Sequence, residues 1–178
     1  MRIISGKYRG KKILAPKNLP VRPTTDQAKE SLFNILQNRF DFEDLEVLDL
    51  FSGTGNLSYE FLSRGVIKVV AVDANFACVG FQKQIKTELN LSNFEPRKGD
   101  VLRAIPSINQ QFDLIFADPP YQMKEIVDLP NLILNADILK PNGLLVIEHG
   151  PATKFEHRQL FEHRKYGHVN FSFFNTES

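Results

Sequence analysis

The sequence has little cysteine and no long apolar run, and each scarcity narrows what the chain can do. Its single cysteine, Cys78, leaves no internal disulfide framework and no multi-cysteine zinc site. That suits a reducing, cytoplasmic setting. No stretch approaches the roughly 20 apolar residues a membrane-spanning helix needs. The segment from Met1 to Lys7 lacks an apolar stretch of signal-peptide length, so neither secretion nor membrane insertion is expected. His149, His157, His163 and His168 lack metal-ligand spacing with acidic partners, so no metal site is expected. Internal repeats and biased tracts are absent too. What is present, 42% hydrophobic and 24% charged residues over 178 positions, fits one globular domain with a short appendage. A chain of this size can bury a core of its own.

The net charge of +1 conceals an asymmetry. Arg2, Lys7, Arg9, Lys11, Lys12, Lys17 and Arg22 make residues 1–22 +7 with no acid, leaving −6 on the remainder. A basic arm on a mildly acidic body points to an anionic polymer as partner; a merely solvated surface strand is the bland alternative. Residues 1–14 read as a short hairpin, with Ile3 and Ile4 facing Ile13 and Leu14 across Gly6 and Gly10. Pro16, Pro20 and Pro23 make the next stretch an extended connector. The boundary therefore falls between an arm, residues 1–23, and a body, residues 24–178.

Within the body, Thr24 with Gln27 fits a capping box for a helix from about Asp26 to Asn38. Apolar strand runs follow at residues 47–51, 67–72, 112–117 and 144–148. Helical patterns separate them, at residues 57–65, along the Cys78, Phe81, Ile85 and Leu89 face, and at residues 124–139. Strands apolar on both faces, alternating with helices, predict a doubly wound α/β fold with a mostly parallel sheet. Val169, Phe171 and Phe173 alternate as a closing, antiparallel strand.

In such a sheet, ligands sit beyond the carboxyl ends of the strands where strand order reverses. After the first strand come Asp49, Leu50, Phe51, Ser52, Gly53, Thr54 and Gly55. Gly53 and Gly55 permit a sharp turn and close ligand approach before a helix N-terminus; a plain strand–helix turn is the alternative. Ser58 stands where a dinucleotide fingerprint needs a third glycine, and no Walker lysine follows. A carboxylate at Asp49 suits a ligand with an ammonium group better than a pyrophosphate. Asp73, ending the second strand, is placed either for two ribose hydroxyls or as a helix cap. Asp100 and Val101 are placed for an adenine amine and ring, or form an ordinary turn after Gly99. Directly after the strand at 112–117 stand Asp118, Pro119, Pro120 and Tyr121. Two successive prolines fix two backbone angles and remove two donors. A carboxylate, a carbonyl and an aromatic face are then available to a planar base carrying an exocyclic amine.

Taken together, these motifs resemble the class I S-adenosylmethionine-dependent methyltransferases that modify exocyclic amines of nucleobases. More narrowly the chain resembles the RsmD family of 16S rRNA guanine-N2 methyltransferases. The narrower likeness is carried by Arg2 to Gly6, Tyr8 to Gly10, Arg22 to Asp26, Leu32 to Asn34, Val47 to Gly55 and Phe112 to Tyr121. The resemblance implies a Rossmann-like fold with S-adenosylmethionine as cofactor. Asp49, Phe51, Gly53 and Gly55 would line its methionine part, Asp73 its ribose, and Asp100 with Val101 its adenine. Asp118, Pro119, Pro120 and Tyr121 would be catalytic, and Arg22, Thr24 and Thr25 would close the pocket. Arg2, Lys7, Arg9, Lys11, Lys12 and Arg22 would contact ribosomal RNA in a small subunit or its assembly intermediate, with the protein a monomer. Asp73 and Lys29 depart from the Glu and Arg common in that family. The rivals are a DNA adenine-N6 or protein-glutamine methyltransferase, a catalytically silent RNA-binding protein of the same fold, and, less well matched, a nucleotide-dependent oxidoreductase.

Overall fold

Strands that are apolar on both faces require cover on both faces, and the chain supplies it by winding helices alternately over one sheet. The computed structural model describes residues 1–19 and 24–176. The strands are β1 (Glu46–Leu50), β2 (Lys68–Asp73), β3 (Phe94–Lys98), β4 (Phe112–Ala117), β5 (Leu139–His149), β6 (Leu160–Tyr166) and β7 (Val169–Asn175). The helices are α1 (Asp26–Gln37), α2 (Asn56–Ser63), α3 (Phe76–Glu88), α4 (Val101–Ala104) and α5 (Leu129–Leu134). The sheet order is β3-β2-β1-β4-β5-β7-β6. Pairings from β3 through β5 are parallel, and β7 inserts antiparallel between β5 and β6. One core layer packs α1, α2 and α3 on the sheet through residues such as Phe33, Phe61 and Phe81. The other packs α4 and α5 through Val101, Leu129 and Ile133. This is the doubly wound, mostly parallel α/β arrangement expected from the sequence, closed by antiparallel strands. Because β1 pairs with β2 on one side and β4 on the other, winding reverses at the carboxyl ends of β1 and β4.

Several local expectations are corrected. Thr25, not Thr24, caps α1: its side chain accepts from the Ala28 amide at 3.2 Å. Residues 124–139 are not one helix but a 3-10 turn (Lys124–Asp128), then α5, then the start of β5. Pro130 sits in the first turn of α5, and Asp137 at φ 54° ends the helical path. β5 accordingly starts five residues before the expected strand. The tail contributes two strands rather than one, since β6 also forms. The arm folds back with one antiparallel bridge, Arg2 to Lys12, rather than a ladder.

The arm is fastened to the body through buried charge. Ile3 and Ile13 are buried in the same core layer as α1 and α2. The Ile4 and Ser5 amides donate to the two carboxylate oxygens of Glu60 at 2.8 and 3.0 Å. Gly6 crosses α2 so closely that a Cβ there would lie 1.8 Å from the Ser63 carbonyl oxygen, at a φ of +81° that already favours glycine. The fully buried Lys29 ammonium lies 3.3 Å from Glu60 and donates to the Arg2 carbonyl and the Asn56 side chain. Burial pushes this ammonium below its usual range, and the Glu60 carboxylate opposes the shift. Arg64 reaches Glu60 from the other side at 3.0 Å while lying over the Phe33 and Phe42 rings.

Removing one member of such a buried pair leaves the other without compensation. Lys29→Met is expected to cost about 3 kcal/mol in urea unfolding, at the low end because Arg64 and two amides still face Glu60. Lys29→Arg, which keeps the charge, should cost less; equal losses would place the effect in packing alone.

Candidate active site

The loop leaving β1 is held in shape by its own neighbours. Phe51, Gly53 and Gly55 have φ values of 59°, 52° and 83°, so the chain turns left-handed three times in five residues. The Ser52 amide donates to the Val72 carbonyl at 3.1 Å, and the Gly53 amide to Asp73 at 2.8 Å. From beneath, the Gln82 amide on α3 donates to Ser52 Oγ and to the Gly53 carbonyl at 2.9 and 2.7 Å. Gly55 precedes α2 with its Cα facing the Tyr59 ring, where a Cβ would come within 2.9 Å. The phenol oxygen of Tyr59 is buried with no hydrogen-bond partner among the described residues, and so is Gln82 Oε1.

Asp49, the fourth residue of β1, is buried beneath this loop. Ser58, one turn into α2, donates to it at 2.5 Å. Burial pushes the Asp49 carboxyl up to about 7, against the pull of that hydrogen bond and with the Asp73 charge adding to the rise. Asp73 ends β2 with both oxygens engaged, one by Gly53 and the other by the Asn75 amide at 2.8 Å. Each carboxylate oxygen has two acceptor sites, so acceptance from further hydroxyls is still available. Asp100 caps α4, accepting from the Arg103 amide at 3.1 Å, with Val101 buried behind it. Both the capping role and an exposed acceptor at the end of β3 are therefore present in one residue.

On the other side of the switch point, the Asp118 amide donates to the Leu50 carbonyl at 3.2 Å and so extends the β1–β4 register by one residue. Neither the Asp118 carboxylate nor the Pro119 carbonyl accepts a hydrogen bond within the described residues. Burial, then the Glu148 charge, then the Asp49 charge raise the Asp118 carboxyl well above the usual range. Tyr121 is 47% exposed, with one ring edge against Gly150, where a Cβ would lie 3.0 Å away. Its hydroxyl donates to Glu148 Oε1 at 3.3 Å, and the Thr24 hydroxyl donates to Oε2 at 3.0 Å. Glu148, the penultimate residue of β5, is 3% exposed, and burial raises its carboxyl to about 7 despite those two hydrogen bonds. Asp49, Asp118 and Glu148 thus stand at the carboxyl ends of three adjacent strands. Among the described residues no lysine or arginine pairs with any of them.

The basic arm is used unevenly. Arg2 pairs with Asp26 at 3.4 Å and Lys11 with Glu88 at 3.5 Å. Lys7 lies 5.3 Å from the Tyr8 ring centroid. Arg9 and Lys12 are exposed and without an ion pair among the described residues. Arg22 lies outside the described residues. Sequence patterns gave Glu148 no more weight as a crevice residue than as a cap, and they missed Gln82, whose polar side chain lies mid-helix without a periodic signal. Ser58 was legible only as the missing glycine of another motif, yet it is the hydrogen-bond donor to Asp49.

A family described as "Conserved hypothetical protein 95" matches residues 1–175. Ribosomal RNA small subunit methyltransferase D of Buchnera aphidicola subsp. Acyrthosiphon pisum is 35% identical over 149 residues, 82% of this chain and 76% of its own. A hypothetical protein of Thermus thermophilus superposes with a TM-score of 0.84 at 25% identity, over 99% of both chains. The T. thermophilus 16S rRNA N2 methyltransferase RsmC, solved with S-adenosylmethionine and guanosine, superposes at 0.69 and 25% identity, over 89% of this chain and 45% of that one. With nearly its whole length matched and its acids gathered at the switch point of the sheet, the chain belongs to this family, that of the RsmD-type methyltransferases.

Proposed function

We propose that the protein transfers a methyl group from S-adenosylmethionine to the exocyclic N2 amine of a guanine in 16S ribosomal RNA. The observation that carries this reading is the set of three uncompensated carboxylates, Asp49, Asp118 and Glu148, around a diproline corner. The named relatives support the choice of ribosomal RNA and of the N2 amine. An acid cluster with no lysine or arginine partner among the described residues suits a ligand carrying a sulfonium and an ammonium group. The left-handed glycine loop and the unpartnered Tyr59 and Gln82 oxygens beneath it suit the ligand's methionine portion. Asp49, Phe51, Gly53 and Gly55 would hold that portion, Asp73 the ribose, and Asp100 with Val101 the adenine. Bound there, the cofactor supplies a methyl group already activated on positive sulfur.

The remaining work is positional. The guanine N2 lone pair is delocalised into the ring, so the amine must be turned out of conjugation and aimed. Asp118 and the Pro119 carbonyl accept its two hydrogens, and Pro120 keeps the corner from relaxing. Tyr121 offers its exposed face for stacking, worth about 1–3 kcal/mol for a single base. Alignment of this kind can contribute on the order of 7–11 kcal/mol. As the nitrogen gains positive charge, the Asp118 carboxylate stabilises it and, with its raised proton affinity, is basic enough to take the released proton. Arg9 and Lys12 supply phosphate contacts at the mouth of the arm, which give affinity more than base choice. The reading carries with it a cytoplasmic setting, where a free, buried Cys78 thiol stays reduced.

Transfer of labelled methyl groups to unmodified small ribosomal subunits, followed by nucleoside digestion, tests this directly. N2-methylguanosine is expected, and Asp118→Ala should lower kcat by roughly 100- to 1,000-fold. Label recovered as N6-methyladenine from DNA or as methylglutamine from protein would replace the reading. Neutralising Arg9 and Lys12 together should weaken RNA binding and reduce the slope of log affinity against log salt by about 1.5, with cofactor affinity unchanged. An unaltered slope would remove those residues from the interface.

The acids also set a pH dependence. Asp49 and Glu148 titrate near 7 in the fold against about 4 in an unfolded chain. Their contribution to stability is therefore fully present below about pH 4 and is lost as pH rises through about 7. The melting temperature of the ligand-free protein should fall by a few degrees between pH 5 and 8, and Asp49→Asn should flatten that fall. Affinity for S-adenosylmethionine should rise over the same interval, because deprotonated Asp49 beneath the glycine loop attracts its sulfonium. The uncharged-sulfur product analogue should show a weaker rise in isothermal titration calorimetry.

A further inference from the structure

Glu148 is the one member of the acid cluster whose two oxygens are both taken by hydroxyls from other parts of the chain. Oε1 accepts from Tyr121, three residues beyond Asp118, and Oε2 accepts from Thr24, the residue just before the cap of α1. The methyl transfer derived above gives this carboxylate no contact with the amine, the methyl group or the cofactor. We infer that Glu148 is a positioning residue that sets the Tyr121 ring against the incoming base and ties that ring to Thr24 at the entry to α1. The inference rests on the proposed transfer to a base amine.

Three features of the site support the role. First, β5 is the neighbour of β4, with Ala117 beside Ile147, so the last residues of the two strands emerge together. The Glu148 side chain therefore leaves the sheet next to the corner it steadies. Second, Tyr121 is half exposed and follows two prolines, so its backbone direction is fixed while its ring still needs a lateral stop. Gly150 supplies a wall on one side of the ring, and Glu148 supplies an anchor for the hydroxyl. A hydrogen bond to an ionised acceptor is about twice as strong as a neutral one, which suits an anchor at a solvent-facing ring. Third, Thr24 gives up the capping role to Thr25, leaving its hydroxyl for Glu148. The groups facing Glu148 are then Thr24 from the connector, Tyr121 and Asp118 from the corner after β4, and Asp49 through its field on Asp118. The entry to α1 and the ring offered to the target base thereby share one side chain.

The test is a double-mutant cycle on the full chain with small-subunit substrate, reading kcat and KM for RNA and cofactor affinity separately. Glu148→Ala should lower kcat roughly ten- to a hundredfold, as expected for losing a charged hydrogen bond, with cofactor affinity changed less than about threefold. Tyr121→Phe, which keeps the ring and loses the hydroxyl, should cost activity in the wild-type background and nothing further in Glu148→Ala. Glu148→Gln should recover part of the loss, since its amide can accept from Tyr121 and donate to Thr24. Thermal melts of each variant separate misfolding from mispositioning, and should Glu148→Ala fail to fold, the cycle is run with Glu148→Gln. Additive losses for Glu148 and Tyr121, or unchanged kcat in Glu148→Ala, would overturn the positioning role while leaving the transfer reaction intact. A wild type that methylates no base would overturn both.

Discussion

Three carboxylates, none paired with a lysine or arginine among the described residues, govern the rest of this molecule. Asp49, Asp118 and Glu148 are brought to the ends of neighbouring strands by a sheet whose apolar interior gives them little solvent, and burial is the leading cause of each rise in proton affinity. An arrangement of this kind is costly in the ligand-free state, since like charges in a low-dielectric crevice repel one another. It is tolerated because the surrounding backbone is over-determined: the glycine loop is bonded to β2, α3 and its own turn, and the diproline corner continues the β1–β4 ladder. The strain of the acids is held by a rigid frame and relieved by whichever cation the frame admits. Function and instability thus share one location.

The frame itself was largely legible in the sequence, for physical reasons. Val47 to Leu50, Val69 to Val72 and Leu144 to Ile147 lie in strands buried on both faces, and such runs resemble nothing else at that length. The two motifs at the switch point announced themselves through glycine and proline, the residues whose backbone freedom is most unusual. Other features were hidden for equally physical reasons. β6 is an edge strand with mostly polar, exposed residues, so it has no apolar run to detect. The early part of β5 is turn-like, with Pro141 and Asn142 exposed and Asn142 at φ 62°. The cap read at Thr24 falls one residue later, at Thr25, because the Thr24 hydroxyl is taken by Glu148.

The least visible part was the charge buried in helices. Lys29 and Glu60 look like ordinary surface residues of amphipathic helices when seen along the chain. Only the fold reveals that the arm lies over them and completes their hydrogen bonds. A basic stretch at one end of a chain invites a simple electrostatic reading, and Arg9 and Lys12, exposed and without an ion pair among the described residues, are the side chains left for it. For Arg2 and Lys11 the nearest anion is the protein's own, so part of the arm's charge is spent on attachment.

That attachment has a consequence for how such an arm can be exchanged. Glu60 sits on the same short helix whose first turn carries Ser58, the donor to Asp49, and it takes two of its hydrogen bonds from the arm's own peptide groups. A chimaera that grafted a foreign segment onto residue 24 would strip those amides from a buried carboxylate two residues along the helix from the donor to Asp49. The arm's backbone is thus part of the support of α2, so exchanging it would disturb the packing around Asp49 as well as the charge of the surface.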